Sequence, residues 1–327
     1  MGGGYNKNDI SRLIMEVYAM TVKLDGFVKS INDKKLDMYG VVVREGGEVT
    51  TEYFWRNKLR KEIRSCTKSI TSLAVGRAIE EGMFKLTDKI TDFFPEHLPK
   101  NPQPELLSIT VRDVLMMAMG YNRFILNPFI RESFKGDWLD YIFSEKLDLK
   151  PGSRFVYNNA SPYLCGALIS KISGENYLKW MMPRFFEPLD INNPQWFTCP
   201  MGRPIALGGL FLTVEELSRF GQVCLDRGMW KGKRLVSAEW IDEATSNLIP
   251  VETSVDDVSK KPEKDFAAGY GYFFWMNRTE GYHMWGRYGQ FCVVLPKRNT
   301  VITTLALEEK NEQGILDSVW EEILPQL

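Results

Sequence analysis

Histidine is almost absent from this 327-residue chain, which has only His97 and His283. A metal centre built on several histidines is excluded, and a Ser-His-Asp triad would have to use one of these two. The five cysteines, Cys66, Cys165, Cys199, Cys224 and Cys292, are odd in number, lack CxxC spacing and have no histidines to match. They argue against a disulfide framework or a zinc site and read as reduced thiols. An excess of charge is missing too: 41 Lys+Arg stand against 42 Asp+Glu, a net charge of −1, so bulk charge points to no nucleic-acid partner. No stretch offers about eighteen uninterrupted apolar residues. The most apolar early segment, Leu13 to Val28, is broken by Glu16, Lys23 and Asp25, so no membrane span is expected. The first residues show no basic segment followed by an apolar one, and Asn6 stands where myristoylation wants Ser or Thr. A cytoplasmic location is the expectation.

What remains is an ordinary globular composition, 44% hydrophobic and 13% aromatic, in a chain long enough for a large core. Apolar residues recur at helical spacing from Ile10 to Phe27. Met38 to Arg44 and Val49 to Phe54 then read as two strands around the turn Glu45-Gly46-Gly47. Helical patterns dominate from Ser65 to about Leu225, separated by Pro- and Asn-rich loops. Strands return at Gly271 to Met276, His283 to Gly286, Phe291 to Leu295 and Val301 to Leu307, before a closing helix near Ile315 to Ile323. Strands at both ends with helices between them predict one unit over residues 1–327. In it, 1–64 and 250–327 build an α/β sheet lobe and 65–249 form a mostly helical lobe. The charged stretch Thr253 to Lys264 reads as a solvated loop, with a flap beside an active site as the sharper alternative.

The segment from Arg64 to Ile79 carries the most chemistry. Ile70, Leu73, Ala74, Val75, Ala78 and Ile79 make its helix apolar on several faces, so it belongs in the core, with Ser65 at its start. A capping box would place Glu or Gln three residues after Ser65; the chain has Lys68. An ammonium in the first turn faces the positive end of the helix dipole, and Arg56, Lys58, Arg60, Lys61 and Arg64 lie just upstream. If Lys68 is also desolvated, its pKa falls and it can serve as a base. One helical turn brings its amine to the Ser65 hydroxyl, activating a nucleophile without histidine. Ser-x-x-Lys alone is a weak pattern, expected about once by chance in a chain of this size. Downstream, Tyr157-Asn158-Asn159 is the sole Tyr-x-Asn; beside a lysine, a tyrosine can pass the serine proton to a leaving group. The third element, His283 to Pro296, is by itself an aromatic strand with a glycine-bearing bend. Next to Ser65, its edge would supply a backbone N–H for an oxyanion.

Ser65-x-x-Lys68, Tyr157-x-Asn159 and Trp285-Gly286 together resemble the three motifs of the serine β-lactamase/penicillin-binding-protein superfamily. The similarity is to the branch of class C β-lactamases, family VIII carboxylesterases and 6-aminohexanoate-oligomer hydrolases. The segments Leu86 to Pro95, Ile109 to Gly120 and Leu207 to Gly221 fit the same pattern, so the resemblance covers nearly the whole chain. It implies a β-lactamase/transpeptidase-like fold, an antiparallel sheet flanked by helices with an inserted helical lobe. It also implies that Ser65 is acylated, that Lys68 and Tyr157 move the proton, and that Asn159 holds substrate or orients Lys68. The third motif departs from the pattern: penicillin-recognising members carry Lys-Thr-Gly, whereas Trp285-Gly286-Arg287 is nearer the Trp-Gly-Gly of the carboxylesterases. Arg287 would then replace the missing charge. The second oxyanion N–H is expected from Arg287 or Tyr288, with Tyr288 favoured.

The resulting expectation is a serine hydrolase that cleaves a small ester or amide through an acyl-enzyme and needs no metal or cofactor. Tyr121, Phe124, Trp138, Phe273, Trp275 and Trp285 suggest an apolar-walled pocket. Two rivals stand beside it. One is a penicillin-binding D-alanyl-D-alanine carboxypeptidase or β-lactamase; the other is a catalytically silent relative that binds a ligand in the same cleft. His283 reads as a hydrogen-bonded structural residue on the face of Trp285, His97 as a loop residue and Cys66 as packing.

Overall fold

Three consecutive valines, Val41, Val42 and Val43, are buried in β1 (Met38–Glu45), which is covered on both faces and therefore lies inside a sheet. Its neighbour β2 (Glu48–Phe54) carries Glu, Thr and Tyr, is partly exposed along its length and forms the edge. The computed structural model describes residues 21–255 and 257–327. Its main sheet is antiparallel in the order β2-β1-β11-β10-β9-β8, where β8 is Trp275–Met276, β9 Tyr282–Gly286, β10 Gln290–Leu295 and β11 Thr300–Ala306. Both chain ends build this sheet, because β1 pairs directly with β11.

Strand alternation divides the helices between the two faces. Cys292 and Val301 turn towards Gly221 of α8 (Val214–Leu225), whereas Ala306, of opposite parity to Val301, turns towards Ile315 of α10 (Gln313–Ser318). Helix α10 continues as a wider turn through Ile323 and packs against α1 (Asp25–Asp33). The expected early helix is thus shorter and later within the described residues; Ile10 to Met20 lie outside them. The expected strand from Gly271 contracts to two residues. Phe273 adopts a left-handed backbone, Gly271 N–H closes a turn on the Phe274 carbonyl, and Ser69 Oγ ties the Phe273 carbonyl to the core at 2.6 Å.

Between the sheet strands lie α2 (Cys66–Glu80), α3 (Val111–Leu115), α4 (Pro128–Ser133), α5 (Trp138–Ser144), α6 (Ala160–Ser173), α7 (Tyr177–Met181) and α9 (Ala238–Ala244). Two small ladders interrupt them. One is β4 (Gln195–Trp196) with β5 (Leu210–Leu212) and β3 (Lys61–Glu62); the other is the hairpin of β6 (Met229–Trp230) and β7 (Lys233–Arg234). Helix α2 is buried almost end to end and touches β9 and β10, α6 and α9, so it joins the sheet to the helices. That is why its sequence is small and apolar on every side. This architecture is the β-lactamase/transpeptidase-like fold, an antiparallel sheet flanked by helices.

Gly221 marks how closely α8 lies on the sheet, since a Cβ there would collide with Cys292 Sγ and Val301. Gly221→Ala is expected to lower stability by about 1–3 kcal/mol through overpacking, measured by urea unfolding. An unchanged midpoint would mean that the helix can lift without cost.

Candidate active site

Ser65 occupies the N-cap of α2, yet its side chain makes no capping bond and its hydroxyl is left to Lys68. The approach to it is constrained. Arg64 holds a left-handed backbone (φ 51°), a conformation costing on the order of 1–3 kcal/mol for a non-glycine residue, and Thr67 Oγ1 clasps its carbonyl at 2.7 Å. On one side Ile63 N–H bonds the Leu210 carbonyl of β5. On the other, Gly286 at the end of β9 backs onto the Ile63 carbonyl so closely that any side chain there would collide with it. Glycine in the third motif is therefore what lets the sheet edge reach the serine.

Lys68 is 2% exposed. Its Nζ lies 2.8 Å from Ser65 Oγ, 2.9 Å from Asn159 Oδ1 and 2.8 Å from the Leu207 carbonyl. Burial holds its pKa well below that of a free lysine, and the nearby Arg131 guanidinium lowers it further. A neutral amine has two N–H groups and one lone pair. The Asn159 and Leu207 oxygens can only accept, so in the neutral form they would take the two N–H groups and leave the lone pair facing the Ser65 hydroxyl. Asn159 is itself fixed, for its Nδ2 donates to the Leu126 carbonyl at 3.0 Å, which sets which end of the amide meets Lys68. Tyr157 lies in the loop before α6, pinned where Val156 N–H meets Met117 and Asn159 N–H meets Ile125. The Lys68 amine sits 5.1 Å from the centroid of its ring, which packs against Phe124, Trp275 and Trp285.

The structure thus brings Ser65, Lys68, Tyr157, Asn159, Trp285, Arg287 and Tyr288 together; all but the enclosed Lys68 line one cleft of about 380 Å³, with Gly286 behind it. Several sequence expectations change here. Upstream cations do not act on Lys68: Arg56, Lys58, Arg60 and Arg64 pair with Asp37, Glu52, Glu216 and Glu62, and Lys61 stacks on Tyr39. Arg131, from α4, takes that role instead. The cleft is not apolar-walled either. Only Phe124 and Trp285 of the six candidate aromatics line it, because Tyr121, Trp138, Phe273 and Trp275 are buried in the core; Glu62, Arg64, Arg131, Glu132 and Arg287 supply charge. Both oxyanion candidates, Arg287 and Tyr288, lie on the bend after Gly286 and line the cleft.

Glu312 was not evident from sequence. Its carboxylate accepts from Trp285 Nε1 at 2.9 Å and from Gly289 N–H at 3.3 Å, and burial raises its pKa despite these bonds. It anchors the bend that follows Gly286. Val255 lines both this cleft and an adjoining cavity of about 250 Å³, so the charged stretch does border the site, although Thr253 within it is buried. Cys66 is buried, with Sγ towards the Gln290 carbonyl and its thiol pKa raised by burial, as packing requires. His97 pairs with Asp140, and neither histidine lines the cleft. Among the described residues no group of three or more His, Cys, Asp or Glu could hold a metal ion, and no described helix is long and apolar enough to cross a membrane.

His283 Nδ1 lies 2.7 Å from Asn277 Oδ1, and burial depresses its pKa to about 3. As pH falls below 6.5 the unfolded chain takes up this proton before the folded one, so stability declines from there towards about pH 3. The slope is on the order of 1.4 kcal/mol per pH unit. Urea unfolding over this range is expected to show that loss in the wild type and a shallower one in His283→Asn; identical slopes would show that His283 does not titrate on unfolding.

Comparisons with known proteins follow this geometry. The family model described as Beta-lactamase matches residues 24–317. A 6-aminohexanoate-dimer hydrolase of Paenarthrobacter ureafaciens is 22% identical over 247 residues, 70% of this chain and 62% of that protein. Protein flp of Staphylococcus aureus is 27% identical over 135 residues, 40% of this chain and 27% of that protein. The chain therefore spans less than two thirds of the length of these relatives. Among solved structures, an octameric penicillin-binding protein homologue from Pyrococcus abyssi superposes with a TM-score of 0.69 at 21% identity, covering 90% of this chain and 73% of that one. A penicillin binding protein from Bacillus halodurans gives 0.68 at 17% identity, covering 90% and 98%.

Proposed function

This chain belongs to the beta-lactamase family, and we propose that it is a serine hydrolase that cleaves an ester or amide through an acyl-enzyme on Ser65. The observation that carries the reading is the Lys68 amine, buried, doubly bonded to fixed acceptors and 2.8 Å from Ser65 Oγ. In this mechanism Lys68 takes the serine proton as Oγ attacks the carbonyl carbon. The oxyanion rests on the backbone N–H group of Ser65 and on that of Arg287 or Tyr288, in the bend that Gly286 brings against Ile63. Tyr157, beside the Lys68 amine, returns the proton to the leaving group, and water then releases the acyl group. Asn159 acts by holding Lys68 in register. Trp285 and Tyr288 form a wall of the cleft whose bend is tied down by Glu312. The hydrolase activity of the 6-aminohexanoate-dimer relative agrees in reaction class.

The test is to incubate wild type and Ser65→Ala with p-nitrophenyl butyrate, a fluorophosphonate probe and a labelled penicillin, reading turnover and intact mass. Ester turnover with a single probe adduct is expected in the wild type, with a loss on the order of 10³-fold or more in Ser65→Ala. Equal turnover by the alanine variant would overturn the mechanism. Labelling by penicillin alone would favour a penicillin-binding enzyme instead. Lys68→Ala is expected to lose most acylation throughout the neutral pH range, and an unchanged pH profile would remove Lys68 as the base.

A further inference from the structure

The charges that line the cleft are unevenly satisfied. Glu62 and Arg64 pair at 2.6 Å, and the other Glu62 oxygen accepts Gly209 N–H at 3.0 Å, so both are committed to the protein. Glu132 is exposed to solvent. Arg131 differs from these. It projects from α4, whose start is set by Asn127 accepting Ile130 N–H, and it lines the cleft with Ser65 and Asn159. Its Nε–H is enclosed and meets no acceptor, and Glu62 and Glu132 act on it only through space. Among the described residues no carboxylate is bonded to it, and a guanidinium fork matches the two oxygens of a carboxylate bidentately. Ser65, Tyr157 and Asn159 line the same cleft as Arg131, which places it at the reacting end.

We infer that Arg131 is the cleft's carboxylate-recognition residue, so the natural substrate carries an anionic carboxylate near the scissile ester or amide. This inference rests on the hydrolase reading. It replaces the neutral, apolar substrate suggested by the count of aromatics with a hemi-ester or hemi-amide of a dicarboxylic acid, or a similarly charged acyl compound. Lowering the Lys68 pKa is an effect of the same guanidinium, but it acts equally on charged and neutral substrates and cancels in a ratio.

The experiment compares kcat/KM for mono-p-nitrophenyl glutarate and p-nitrophenyl valerate, matched in chain length, in wild type, Arg131→Gln and Arg131→Lys, with circular dichroism to verify folding. The wild type is expected to prefer the glutarate ester. Arg131→Gln is expected to lower the glutarate-to-valerate ratio by at least about tenfold, with Arg131→Lys between them. A ratio in Arg131→Gln within about twofold of wild type would overturn the inference. Titration calorimetry of glutarate into Ser65→Ala, with and without Arg131→Gln, supplies a readout without turnover. Binding lost with Arg131 supports the inference even if Ser65 proves unreactive, which would sink only the hydrolase reading. A reactive Ser65 with no glutarate binding and no ester preference would sink the inference and leave the hydrolase reading intact.

Discussion

A lysine enclosed in the core at the first turn of a helix is the constraint around which the rest of this molecule is arranged. As an ammonium, Lys68 would carry a desolvation penalty of several kcal/mol with no carboxylate bonded to it. As a neutral amine it needs only two acceptors for its N–H groups, and it has them in Asn159 Oδ1 and the Leu207 carbonyl. These come from different parts of the chain, one before α6 and one before β5. The geometry at Ser65 therefore exists only when the helical segments and the sheet are assembled around α2.

The sheet contributes through its edge. β9 stops at Gly286, where the absence of a side chain allows contact with the Ile63 carbonyl, and the bend beyond it is held by Glu312 through Trp285 and Gly289. Arg64 accepts a left-handed backbone so that the chain can leave β3 and enter α2 with Ser65 at the corner. That strain is concentrated beside the reacting atom, and the bonds from Ile63 and Thr67 hold it in place. The same crowding shields Cys66 and His283, which explains why a thiol next to the serine and a histidine near the third motif take no part in the cleft.

Much of this was legible in the chain because its signals are local or ordered. Helical spacing puts Lys68 one turn from Ser65, the wrong sign for a cap exposed the pair as unusual, and the strands at the two ends announced a sheet closed by both termini. Signals that depend on three-dimensional neighbours were not legible. Sequence proximity suggested that Arg60 and Arg64 would act on Lys68, but each finds a carboxylate, and Arg131, more than sixty positions along, supplies the field. Aromatic count suggested an apolar pocket, but Trp138 and Trp275 fill the core. Glu312 stands in a charged stretch with no motif, and its bonds to Trp285 and Gly289 depend on the fold. The strand from Gly271 failed because the left-handed Phe273 turns the chain before pairing can extend.

Charge now takes the place that histidine scarcity left open: one lysine whose pKa burial holds well below the ordinary value, and one arginine beside it. The protonation state of Lys68 in the resting protein is the point on which the chemistry turns. It can be observed directly by 13C NMR of protein labelled at lysine Cε, with the Lys68 resonance assigned through Lys68→Arg. The expected result is a Lys68 signal at the neutral-amine position at pH values well below the reference lysine pKa of about 10.4. A Lys68 signal that titrates together with the surface lysines would contradict the assignment of Lys68 as the base.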